Sequence, residues 1–348
     1  MRLGMMMSYS GGFAETVGEL VDYEAAGIDI VAVPEAYGFD AVSQLGFVAA
    51  RTTRMQIASG IMQLYTRTPT LTAMTAAGLD YVSGGRFTLG IGASGPQVIE
   101  GFHGVSYDAP LGRTRELVEI CRQVWRRETV VFPGKHYRIP LPPGEGTGLG
   151  KPLKIITHPV RPRIPIVLAA VGPKNVAMAA EIAEGWQPLF FHPEKASLVW
   201  GSALAEGLAR RDPALGPLDV VVSAPFAITE TPGPLEDVHR AMLALYIGGM
   251  GARGRNFSND VARRYGYAAE AALIQDLYLG GRKAEAAAAV PGDLVRDTAL
   301  VGPAGHVKER LAAFAAAGVT TLLISPMGPT HAERVREVAE LRALVDAL

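Results

Sequence analysis

The chain has 348 residues, 49% of them hydrophobic and 19% charged, with 40 Gly, 24 Pro and a net charge of −1. This balance excludes a disordered chain and gives no basic surface for nucleic acid or an anionic membrane. One cysteine excludes an intrachain disulfide, and no apolar run reaches the roughly 18–20 residues of a membrane span. The first residues, MRLGMMMSYSGG, lack the pattern of a signal peptide, so a cytoplasmic protein is expected.

The first predicted strand, LGMMMS (3–8), leads into MSYSGGFAE. It lacks the G-x-G-x-x-G turn that opens a doubly wound dinucleotide-binding sheet. The adjacent Met5, Met6 and Met7 suit either an adaptable pocket floor or core packing. The second strand, DIVAVP (29–34), ends in PEAYGFD. Glu35 and Asp40 there are candidate acid/base groups, with loop solvation and helix capping as alternatives. The third, MQIASGI (55–61), runs through Ser59 and Gly60 straight into Ile61. A glycine near the end of a core strand marks a bulge or a close approach to another backbone or a ligand.

The fourth strand, RFTLGIG (86–92), follows SGGR and is followed by the small-residue turn ASGPQ. Arg86 falls at the strand's start, where a structural role is expected. In RTRELVEICRQVW, Leu117, Cys121 and Trp125 share a helix face, which predicts a buried thiol. Residues 129–163 are rich in Gly and Pro and read as a small β-excursion with a mobile loop. The fifth strand, IPIVLAA (164–170), gives way to VGPKN, with Pro173 suited to the first position of a helix. Free N–H groups at such a start, with Lys174 beside them, suit a phosphate; an ordinary turn is the alternative.

The sixth strand, GWQPLFF (185–191), is followed by His192, either a pocket residue or a helix-starting surface residue. After the seventh, LDVVVSAPFAIT (218–229), residues 232–298 form a helical insertion that holds a glycine cluster, IGGMGARGRN. It reads as a lid, a dimer surface or both. Before the eighth strand, VTTLLIS (319–325), Val307, Leu311, Phe314 and Ala315 keep helical spacing, and Gly318 is placed to end that helix.

These strands are continuous apolar runs, as parallel strands covered on both faces require. Eight βα units predict an α/β fold, a (β/α)8 TIM barrel spanning 1–348 as one domain, with its active site at the C-terminal strand ends. The seven histidines are scattered, and there is neither H-E-x-x-H nor a Walker loop, so no metal site is expected.

LDYVSGGRFTLGIGASGPQVIEGFHG (79–104), IPIVLAAVGPKNVAMAAEIAEGW (164–186) and ALVGPAGHVKERLAAFAAAGVTTLLI (299–324) resemble the luciferase-like oxidoreductases. The narrower resemblance is to their coenzyme F420-dependent branch, and segments of 244–295 strengthen it. The resemblance implies a TIM barrel, a homodimer, and a deazaflavin ring at the barrel mouth exchanging hydride at C5 with a small organic substrate. It implies a non-prolyl cis bond at Gly60-Ile61 behind the ring. It implies a phosphate cradle of Ala93, Ser94 and Gly95 with Ala169, Ala170, Val171, Gly172, Pro173, Lys174 and Asn175. Glu35, Asp40 and His192 are the candidate catalytic residues.

Two departures stand out. Relatives that oxidise glucose 6-phosphate carry a glutamate near the position of Gly95-Pro96. Methylene-pterin reductases carry an acid in the first strand, where this chain has methionines. An FMN-dependent monooxygenase and a non-catalytic F420-binding protein are the alternative functions.

Overall fold

The computed structural model describes residues 1–8 and 12–348; residues 9–11 lie outside the described part. Eight strands form the barrel: β1 (Arg2–Met6), β2 (Ile30–Val33), β3 (Gln56–Ser59), β4 (Phe87–Gly92), β5 (Ile166–Ala169), β6 (Gly185–Gln187), β7 (Asp219–Ile228) and β8 (Thr321–Pro326). Each is parallel to its neighbours, and pairing of β8 with β1 closes the ring. The helices outside the ring are α1 (Phe13–Ala25), α2 (Ala41–Arg51), α3 (Pro69–Val82), α4 (Pro110–Trp125), α5 (Pro173–Ile182), α6 (Ala196–Ala209), α7 (Ala304–Ala316) and α8 (His331–Asp346). This is the expected (β/α)8 barrel.

Alternation along each strand explains the continuous apolar runs. One set of side chains packs under the helices, and the other fills the barrel. The methionines at 5–7, at and just after the end of β1, divide this way: Met5 and Met7 join the helix-facing core, while Met6 packs inward on Ile30, Ala32, Ala58, Val167, Val221 and Leu323. The interior is narrow, and a Cβ on Gly4 would lie 2.3 Å from Leu323 Cδ2. At the N-terminal end Arg2 closes it, donating to Gln56 Oε1 (2.8 Å) and Thr321 Oγ1 (3.1 Å) and pairing with Asp219. Arg86 is structural, donating to the carbonyls of Ala49, Thr52 and Met55 and so tying the end of α2 to β4. Cys121 is buried on α4, and burial pushes its thiol up. Gly318 follows α7 with φ +88°, the left-handed conformation that ends a helix.

Between β4 and β5, segments Phe132–Pro133 and Arg138–Ile139 form a small antiparallel hairpin. Between β7 and β8 lie helices Gly233–Ala244, Phe257–Arg264, Ala268–Leu279, Lys283–Ala288 and Gly292–Asp297. Two elements here differ from expectation. The glycine cluster begins inside a helix, because Leu245–Gly249 is a π-helical turn continuing the first of these helices. A further strand, Leu300–Gly302, pairs with the far end of β7, which at ten residues outruns the barrel. Three apolar residues ahead of a Pro-started helix give no strand period, so this pairing is a tertiary outcome.

Candidate active site

The C-terminal strand ends form an open mouth whose centre is built around Gly60. Past β3 the chain resumes pairing with β4 at Met62–Gln63, and from the Ala58–Thr88 pair to the Met62–Ile91 pair it takes four steps where β4 takes three. One residue is extra, which is a bulge. The Ser59 hydroxyl locks it, donating to Gly90 O (2.7 Å) and accepting from Gly90 N (2.9 Å), and Gly60 N donates to Val33 O (2.8 Å). The fit depends on glycine twice. A Cβ on Gly90 would lie 1.9 Å from Ser59 O, and one on Gly60 would lie 3.0 Å from Met6 Cε and Ala32 Cβ. The Gly60-Ile61 peptide bond is cis. Ile61 reaches over Gly92, its Cδ1 standing 3.0 Å from where a Cβ would sit, with Ala169 beside it.

Next around the ring are two backbone turns. After β4, Ser94 is left-handed (φ +59°), and the Tyr107 hydroxyl donates to its carbonyl at 3.3 Å. Tyr107 packs at a tilt against Tyr65, 5.1 Å between centroids, so the loops after β3 and β4 support one another. After β5, Gly172 is the N-cap of α5 and Pro173 its first residue. The N–H groups of Lys174 and Asn175 have no acceptor within the helix. A cleft between the two turns is lined by Gly92, Ala93, Ala169, Ala170 and Asn175. Nothing lies within 4 Å of where a Cβ would stand on Gly95 or Gly172, so both turns border open space. Backbone donors, small residues and the exposed Lys174 fit an anionic tail. Ala93, Ser94, Gly95, Ala169, Ala170, Val171, Gly172, Pro173, Lys174 and Asn175 thus fall on two adjoining turns, next to the Gly60–Ile61 bulge.

The three candidate acid/base residues do not join them. Glu35 accepts from both terminal nitrogens of Arg67 (2.6 and 2.8 Å) and from Ala41 N (2.8 Å). Burial raises its pKa, but Arg67 and the backbone donors outweigh burial and the net shift is downward. It is an ionised acceptor with no proton to give, and it ties the loop after β2 to the loop after β3. Asp40 is the N-cap of α2, accepting from the Ser43 backbone and hydroxyl (both 2.8 Å). Those bonds, the backbone one first, lower its pKa.

His192 is 1% exposed. Its Nδ1 stands 3.1 Å from Glu194 and its Nε2 3.6 Å from Asp297, while Arg310 forks onto Glu194. Burial and then Lys195 lower its pKa, and the two carboxylates offset them only partly. Both ring nitrogens are buried without a hydrogen-bond partner, and the insertion is tied to the barrel beside them by Arg310, which donates to Asp297 O (2.9 Å) as well as to Glu194. His192, Glu194 and Asp297 carry the atom types of a metal site, but Arg310 already supplies the cation. Arg67 and Tyr107 were not singled out from the sequence. The available signal for Arg67 was a lone basic residue in the loop after β3, the strand next to the one that Glu35 follows.

Residues 1–321 match the luciferase-like monooxygenase family. The chain is 45% identical over 350 residues to the "Putative coenzyme F420-dependent oxidoreductase Rv3520c" of Mycobacterium tuberculosis, covering 98% of this chain and 99% of that one. It is 26% identical over 325 residues to the 5,10-methylenetetrahydromethanopterin reductase of Archaeoglobus fulgidus, covering 91% of each. The coenzyme F420-dependent tetrahydromethanopterin reductase structure from Methanopyrus kandleri superposes with TM-score 0.80 at 22% identity over 97% of both chains. An F420-dependent secondary alcohol dehydrogenase in complex with an F420-acetone adduct superposes with TM-score 0.73 at 17% identity, covering 99% of this chain and 98% of that one. At those identities the structural likeness is one of fold.

Proposed function

The chain belongs to the luciferase-like monooxygenase family, and from that premise we propose that it is an oxidoreductase working with coenzyme F420. One observation carries the reading: a backbone platform and an anion cradle adjoin on β3, β4 and β5. The platform is the Gly60–Ile61 bulge, wedged against Gly90. The cradle is the Ser94–Gly95 turn with the start of α5. The 45% identity to the Mycobacterium tuberculosis relative supports the choice of F420 over FMN.

Bound there, coenzyme F420 would supply hydride exchange: two electrons and one proton pass between the cofactor and a substrate carbon, and a second proton enters or leaves at oxygen. The chain's own part is to bind, orient and keep water away. Gly60 and Ile61 would back the ring. Ala93, Ser94 and Gly95, with Ala169 to Asn175, would hold the tail, Lys174 by charge. Glu35 holds the mouth's shape through Arg67. Segment 141–163 and the insertion would cover a small organic substrate on the open side.

We assign the protein to the cytoplasm, and none of its described helices is long and apolar enough to cross a membrane. A homodimer is supported by Leu71, Met74, Tyr81 and Val82 of α3, all exposed. Sedimentation of the wild type would give twice the monomer mass; a monomer throughout would remove that assignment. Titration of the purified protein with each cofactor tests the main reading. Micromolar F420 binding with turnover supports it. Tight FMN binding without F420 binding overturns it in favour of the monooxygenase, and F420 binding without turnover of any carbonyl, alcohol or enone favours a carrier.

A further inference from the structure

Hydride exchange at a carbon bearing oxygen also moves a proton at that oxygen, and the groups expected to carry it are spent. Three loops surround the bulge: residues 34–40 after β2, 60–68 after β3 and 93–109 after β4. Glu35 is ionised on Arg67, and Asp40 caps α2. Tyr65 donates to Asp108 O (2.8 Å) and Tyr107 to Ser94 O (3.3 Å). Glu100 accepts from Tyr107 N (3.1 Å), and Asp108 takes the fork of Arg113 (both 3.0 Å). The Nε2 of His103 is buried. Among the described acidic and phenolic groups of these loops, Tyr37 alone has a free proton: its hydroxyl has no hydrogen-bond partner, and the residue is 62% exposed.

Tyr37 is held beside the platform from both sides. The residue before it, Ala36, gives its carbonyl to Gln63 Nε2 (2.8 Å). Gln63 is 1% exposed, stands two residues past Ile61 and pairs with Gly92 of β4. The Tyr37 ring then meets Phe102 of the loop after β4, 6.1 Å between centroids and 50° between planes. β3 lies between β2 and β4. A side chain that starts after β2 and meets one that follows β4 therefore crosses the end of β3, where the Gly60–Ile61 bulge lies. Backbone and ring are both anchored, and the hydroxyl is left open.

We propose that Tyr37 is the proton donor of this site and that its substrates are ketones or aldehydes. This inference rests on the cofactor reading above. In the reducing direction, hydride from the reduced coenzyme forms the new C–H bond. The C=O π pair moves onto oxygen, and that oxygen takes the Tyr37 proton. Water at the open mouth reprotonates the phenolate, leaving alcohol and oxidised coenzyme as products.

The test compares the wild type with Tyr37→Phe, which keeps the ring against Phe102 and removes only the hydroxyl. With reduced coenzyme F420 and either acetophenone or cyclohexanone, kcat is expected to fall about 100-fold, with the coenzyme Kd unchanged. Infrared difference spectra of carbonyl-labelled acetophenone bound beside oxidised coenzyme need no turnover. The wild type should show the lower carbonyl stretch, because a hydrogen bond from Tyr37 weakens the C=O bond. An unchanged kcat, or one carbonyl frequency in both proteins, overturns the assignment. So does a loss of kcat in His103→Gln without one in Tyr37→Phe, and so does a coenzyme-loaded wild type that reduces neither ketone. Failure of coenzyme F420 to bind overturns the preceding reading instead, and the infrared comparison in coenzyme-free protein then decides Tyr37 by itself.

Discussion

Glu35 and Arg67 lie in the loops that follow neighbouring strands β2 and β3, and their forked pair joins the two loops with side chains only 8% and 14% exposed. Removing one partner strands the other, at a cost of about 3 kcal/mol for a buried pair. Arg67→Ala should therefore lower stability by roughly that amount in urea unfolding, and Glu35→Gln/Arg67→Met together by less. The pair also sets an acid response. Glu35 has a folded pKa below its ordinary 4.5, so its contribution is full above that value and is lost as pH falls through the lower folded one. The wild type should lose stability below about pH 4.5 more steeply than Arg67→Ala; parallel profiles would disprove the assignment.

Glycines at this scale divide into two kinds. Gly90→Ala drives a Cβ into Ser59 O and should cost about 1–3 kcal/mol, read as a fall in Tm. Gly95→Ala meets nothing within 4 Å and should leave Tm unchanged.

At the level of elements, α5 is the helix whose start matters for binding. Gly172 and Pro173 begin it without a side-chain cap, so its dipole and free N–H groups face the cleft, with Lys174 beside them. Lys174→Ala should weaken F420 binding about tenfold at low salt, since one charge-assisted contact is worth roughly 1.5 kcal/mol. The difference should shrink at high ionic strength, and fluorescence titration at two salt concentrations reads both. Equal affinities at low salt would place the cofactor's tail elsewhere. By contrast α2 begins with a capped end, Asp40 accepting from Ser43. The same acid that looks catalytic in PEAYGFD is spent on its own helix.

For the whole molecule, the barrel separates stability from chemistry by its two ends. Arg2, Gln56, Asp219 and Thr321 close the N-terminal end, and the platform and cradle occupy the other. Asp219→Ala should lower Tm by a few degrees and leave the F420 Kd unchanged. A variant that folds as well as the wild type but loses cofactor would contradict this division. The helical insertion is docked to the loop after β6 through Tyr265, which donates to Phe190 O, and to α7 through Arg310, which bridges Glu194 and Asp297 O.

Local order carried much of this into the sequence. Unbroken apolar runs require strands buried on both faces, Gly318 and Pro173 punctuate helices by their own backbone preferences, and Gly60 at a strand end announced a bulge because packing would otherwise forbid it. Those features depend on residues within a turn of one another. What they could not set is pairing across distance. Whether Glu35 donates a proton or pairs with Arg67 depends on the register of β2 against β3. Whether His192 lines a pocket depends on where the last insertion helix places Asp297. The π-helical turn at Leu245–Gly249 depends on Asn256 and Asn259, at the start of the next helix, which take up its carbonyls. Side-chain chemistry was legible residue by residue. Its availability was a matter of burial and partners, which only the closed barrel and its docked insertion decided.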